Sequence, residues 1–113
     1  MKPTISFEDF TKVDMRIGTI VEVLDFPKAR KPAYQLKIDF GALGVKNSSA
    51  QITDLYSRQE LLGKQVIAII NFEKKQIANF FSECLVLGIA NNQNHIVLLQ
   101  SDTKNLKNGS KIS

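Results

Sequence analysis

Apolar and polar residues alternate most cleanly from Tyr34 to Phe40, where Tyr34, Leu36, Ile38 and Phe40 are separated by Gln35, Lys37 and Asp39. A period of two sends successive side chains to opposite faces, which predicts a strand with one buried and one wet side. Met15 to Leu24 repeats the pattern, with Met15, Ile17, Thr19, Val21 and Val23 on one side and Arg16, Gly18, Ile20, Glu22 and Leu24 on the other. Gly18 within it predicts a bulge or sharp bend. Val45 to Thr53 predicts a third strand, Lys46, Ser48, Ala50 and Ile52 facing one way and Asn47, Ser49, Gln51 and Thr53 the other. So polar a strand suits an outer edge or a ligand-facing surface. Val66 to Ile70 and Cys84 to Ile89 are unbroken apolar runs and predict strands buried on both faces. His95 to Gln100 predicts a sixth strand and Gly109 to Ile112 a short last one.

Between these runs the punctuation is specific. Ser6 with Asp9 three positions on predicts a short helix that brings Phe7 and Phe10 to one face. Ser57 to Glu60 is a full capping box, with Leu61 and Leu62 as the apolar face and Gly63 as the stop. Pro27 and Pro32 bracket Lys28, Arg30 and Lys31 in a loop, because proline cannot donate to a ladder. Gly41 and Gly44 mark a turn, as does the tract 90–94. Three strands, a short helix and two more strands, the first bent at a glycine, is the order of a five-stranded OB-fold barrel. The predicted fold is therefore all-β, one domain over 1–113, with an N-terminal helical extension (1–13) and C-terminal extra strands (90–113).

The loop between the fourth and fifth strands departs from an ordinary turn. Residues 71–83 interleave Phe72, Ile77, Phe80 and Phe81 with Lys74, Lys75 and several amides and acids. A period-two chain sends adjacent Phe80 and Phe81 to opposite faces, and either ring could stack on a base or cover an apolar side chain.

The totals, 43% hydrophobic and 23% charged residues, are those of a globular chain. The net charge of +4 is uneven. Residues 1–25 carry three basic and five acidic groups, and the rest carry twelve and six. No apolar leader or membrane-length run is present, which predicts a soluble cytoplasmic protein without membrane insertion. Cys84, the one cysteine, lies in an apolar strand and reads as a core residue. His95, the one histidine, reads as a polar strand-entry residue. Lys46 and Ser48 at strand spacing lack the oxyanion glycines of a catalytic pair. Neither a nucleophile with a base, nor a metal-ligand cluster, nor a phosphate loop is present. The reading is a binder, not an enzyme, without cofactor or metal.

The run 14–41, opening with Asp14, Arg16, Gly18 and Ile20, then 46–53 (KNSSAQIT), 63–72, 77–88 and 97–100, resembles the tRNA-binding-domain family shared with the C-terminal module of methionyl-tRNA synthetases, and most closely its secretion-linked, chaperone-like members. The resemblance implies a homodimer of OB-folds with terminal elements in the interface. It implies two activities, tRNA binding and the holding of unfolded or export-destined polypeptides. Relatives that bind tRNA carry more basic residues and prolines after the fourth strand, and a glycine where this chain has Asn79. Asparagine tolerates a positive φ, so the turn is expected to survive there. For polypeptide the expected contacts are Phe80 and Phe81 for apolar groups, with Asn47, Ser49, Gln51 and Asn71 for main-chain hydrogen bonds. For RNA they are Arg30, Lys46, Lys74 and Lys75 on phosphates, with Ser82 and Glu83 at a base. The reduced charge of 71–83 shifts the emphasis toward polypeptide.

Overall fold

The alternation at 34–40 becomes the middle of the molecule. Strand β2 (Tyr34–Asp39) pairs antiparallel with β1 (Met15–Asp25) on one edge and β3 (Val45–Ala50) on the other, and Leu36, Ile38 and Phe40 are completely buried. The computed structural model describes residues 1–113. Strand β1 pairs with β2 through its second half and with β4 (Gln65–Ile69) through its first. A bulge makes that change of partner easier, since an extra residue bends the strand and raises its twist. The register slips between Ile20 and Glu22, at Val21 and not at Gly18. Gly18 meets a different need: a Cβ there would stand 2.7 Å from Ile38 Cγ2 and from the Phe40 ring.

The main sheet runs β3-β2-β1-β4-β7, with β7 at Leu85–Val86. Its two ends close on each other through mixed contacts and not a regular ladder. The Asn47 amide donates to Glu83 Oε1 at 2.9 Å, the Glu83 amide to the Asn47 carbonyl at 2.8 Å, and the Ser49 amide to Ser82 Oγ at 3.1 Å. The Ser48 hydroxyl donates to the Cys84 carbonyl at 3.0 Å. This is the five-stranded barrel of an OB-fold. It also shows that β3 is not an outer polar strand: Ser48, Ala50 and the following Ile52 are buried, and the Ser48 hydroxyl is satisfied inside.

Both capping boxes form. In α2 (Arg58–Leu61) the backbone and side-chain hydrogen bonds with Ser57 hold the Glu60 carboxyl below the usual range. Leu61 closes the barrel core, whereas Leu62 leaves the helix in an extended conformation and stays exposed. Helix α1 (Phe7–Thr11) buries none of its residues; Phe7 and Phe10 meet at 6.0 Å, and Phe7 is 77% exposed. Asn71 anchors the chain behind it, accepting from the Asp14 amide and donating to the Lys12 carbonyl.

The two apolar runs are not buried on both faces. In β4, Val66 and Ala68 are buried while Ile67 and Ile69 are half-buried. The fifth run breaks at Leu87 into β7 and β8 (Gly88–Ala90), leaving Leu85 and Ile89 exposed. An apolar outer face is indistinguishable by composition from a second buried face. Strand β9 (Ile96–Leu98) pairs with β8 across the expected turn. The stretch 109–112 runs along β1, with Gly109 and Ser110 bonded to Ile17 and Ile112 bonded to Met15.

Candidate ligand-binding groove

Residues 71–83 are a hairpin of their own, not a loop. Strands β5 (Lys75–Ile77) and β6 (Phe80–Ser82) form a separate two-stranded sheet. At its tip Ala78, not Asn79, takes the left-handed conformation (φ 53°). Phe80 packs edge-on against Phe26 at 5.4 Å between ring centres, while Phe81, on the opposite face, is 52% exposed. Phe26 and Ala33 are buried at the two ends of the proline-bracketed loop, so that loop is pinned while its lysines project. The Phe80–Phe26 contact thus sets hairpin and loop side by side.

Between them lies a groove of about 910 Å³. Lys28, Arg30 and Lys31 form one wall, Lys75 and Ile77 the other, and Ser49 and Gln51 of the β3 segment the floor. It continues into an apolar stretch of about 460 Å³ that shares Ser49, Gln51, Lys75 and Ile77 and adds Ile52, Val86, Ile96 and Leu98. No carboxylate lines either half, and none of the four cations is in an ion pair. Strands 2 and 3 with the loops after strands 1 and 4 are the face on which OB-folds bind extended ligands.

Of the residues singled out in the sequence, Arg30, Lys75, Ser49 and Gln51 come together here. Ser82 lines the apolar half, with its hydroxyl spent on Ser49 and Cys84. Asn47 and Glu83 bind each other through main chain and carboxylate, Asn71 holds the N-terminal segment, and Phe80 is the clasp on Phe26. Lys46 and Lys74 stand outside the groove lining. Lys28 and Lys31, whose basic loop the sequence offers either to solvent or to phosphate, line the groove as well; the paired prolines were the signal. Ile96 and Leu98 gave none, because only the folded chain brings them to the cavity that Ser49 to Ile52 line.

The groove offers no catalytic group. Burial pushes the Cys84 thiol up to about 11, outweighing the Ser48 hydroxyl, so the sulfur is a protonated core atom. Ser48 is buried and donates to a carbonyl, with no base beside it. No three His, Cys, Asp or Glu side chains gather as a metal site would require.

The family model described as "Putative tRNA binding domain" matches residues 15–111. The chain belongs to the tRNA-binding-domain family. It is 38% identical over 108 residues to the methionine–tRNA ligase of Pyrococcus horikoshii, covering 96% of this chain and 14% of that enzyme. The chain thus spans about one seventh of the length of such curated relatives. Among solved structures it resembles the chaperone CsaA of Bacillus anthracis (49% identity, TM-score 0.92, 98% of this chain and all of that one). It likewise resembles the CsaA chaperone protein of Picrophilus torridus (51% identity, TM-score 0.90, 97% of this chain and all of that one). The matches are thus to a tRNA-binding domain and to proteins named as chaperones, whereas the ligase is an enzyme that carries such a domain.

Proposed function

We propose that this chain is a non-enzymatic, chaperone-like binding protein that holds unfolded or export-destined polypeptide in the groove between the hairpin and the proline-bracketed loop. The carrying observation is the continuity of a carboxylate-free basic half with an apolar half. An extended segment can lay an aliphatic side chain against Ile52, Val86 and Leu98 and an acidic one among Lys28, Arg30, Lys31 and Lys75. Ser49 and Gln51 serve its main chain, while Phe81, outside the groove lining and on the hairpin face opposite Lys75 and Ile77, offers an apolar contact beyond it. Asn47, Asn71 and Phe80 act by holding the groove's walls and the chain behind them. The test is protection of a heat-denatured client by light scattering: Arg30→Glu with Lys75→Glu should cut protection of an acidic client severalfold. Unchanged protection would sink the reading.

A second reading is binding of tRNA in the same groove, favoured by its four unpaired cations and by the family. Phosphate contacts release counterions, so affinity should fall steeply with salt. A salt-independent tRNA affinity contradicts it.

The same proposal includes a homodimer. Phe7, Ile5 and Phe72 near the N-terminal helix, and Ile89 with its cross-strand partner Val97, leave apolar surface that a second copy would cover. Sedimentation of Ile89→Asp tests it, a monomer being the expected result. No helix is long and apolar enough to cross a membrane. A cytoplasmic site goes with this reading, since both proposed ligands are made there.

A further inference from the structure

Residues 100–113 contain no helix and only a bridge to β1, yet they are tied down along their length. Gln65 donates to the Leu106 carbonyl at 2.6 Å and accepts from its amide at 3.1 Å. Thr19 donates to Asn108 Oδ1 at 2.8 Å, and Arg16 to the Gly109 carbonyl at 3.1 Å. This pinned segment presents Lys104, Lys107 and Lys111, all exposed and none in an ion pair.

Two concavities flank it. One, of about 370 Å³, is lined by Lys64 and Lys104 with Gln65, Gln100, Ser101 and Thr103, and Leu62 is its one hydrophobic residue. Lys64 reaches it from over the Tyr56 ring. The other, of about 330 Å³, holds Arg16, Lys107 and Lys111 over an apolar side made by Phe40, Ala42 and Leu43. Asp102 is the one carboxylate in the two linings, and neither shares a residue with the groove.

We infer that Lys104, Lys107 and Lys111, with Lys64, form a second RNA-contacting strip that grips phosphates of the same RNA whose other part lies in the groove. The lining decides the ligand class. The first lining, with Leu62 its one hydrophobic residue, presents amides, hydroxyls and ammonium groups that suit phosphate oxygens, and Lys107 and Lys111 carry the same charge along the segment. Size decides the arrangement. The long axis of the chain is only 40 Å, so one folded RNA is large enough to reach from the groove to the strip. The strip adds affinity without sequence preference, as phosphate contacts do.

The inference rests on the tRNA reading, and one titration separates the two. Affinity for tRNA is measured against salt for the wild type and for Lys104→Gln/Lys107→Gln/Lys111→Gln, with client protection as the control for an intact groove. The triple variant should bind tRNA about tenfold more weakly at low salt, with the log–log slope shallower by about 2 to 3, and should protect clients normally. A wild-type slope retained by the variant overturns the strip alone. Failure of the wild type to bind tRNA overturns the strip and the tRNA reading together.

Discussion

Strand β2 and the β5–β6 hairpin hold antiparallel strands in opposite ways. β2 is hydrogen-bonded along both edges, and every inward side chain on it is buried. The hairpin pairs over three residues and joins the barrel mainly through one aromatic contact and the Ser82 hydroxyl. Its strands bury no residue fully. Stability is therefore concentrated in the β1–β2–β3 wall, while the groove is bounded by an element that can shift at little cost. A binder of varied extended ligands gains from that division, because the wall that must adapt is not the one that keeps the chain folded.

Substitutions can break the division. Phe40→Ala should have the largest effect, about 3 to 5 kcal/mol of lost stability by denaturant titration, with ligand affinity of the folded fraction unchanged. Next comes the junction between the two regions, at Cys84. Its thiol, held near 11 in the fold, ionises near its ordinary value of 9.0 when the chain unfolds. The unfolded chain then binds fewer protons than the folded one, so stability is intact below pH 9 and falls as pH rises toward 11, by about 2 kcal/mol. Cys84→Ala should remove that part of the slope. Phe80→Ala should cost about 1 kcal/mol and speed amide exchange in the hairpin and the loop facing it, because the clasp on Phe26 is gone. Phe81→Ala should leave stability within about 0.5 kcal/mol and still weaken client protection. The smallest effect is at the tip: Ala78→Gly should stabilise by about 0.5 kcal/mol, since glycine accepts the left-handed conformation that alanine resists. If Phe80→Ala unfolded the barrel as Phe40→Ala does, the contrast between wall and hairpin would fail.

The elements carried by long patterns were legible. Alternation over 34–40 identified the core strand and its buried face, and both capping boxes located their helices. The hairpin was not legible, because three residues per strand are too few for a period to register. The groove was legible in fragments: a basic loop between prolines, Ser49 and Gln51 on one strand face, and Lys75 after the fourth strand. Its apolar half was not, since Ile96 and Leu98 are placed by a pairing forty-odd residues from β3 in the chain.

By itself the sequence determined the barrel order, the polar and apolar faces of β2 and the basic character of two loops. These are local properties, set by side-chain chemistry and the period of the backbone. In β1, by contrast, the bulge buries Ile20 and exposes Val21 against the alternation. Only the tertiary structure decided which donors were free. The side chains of Ser82 and Glu83 are engaged with the main chain of Ser49 and Asn47, because a closing barrel must satisfy the groups that its irregular seam leaves unpaired, and that of Asn71 holds Asp14 and Lys12. Only the folded chain could also set Phe80 on Phe26 and so turn two separate loops into the walls of one groove.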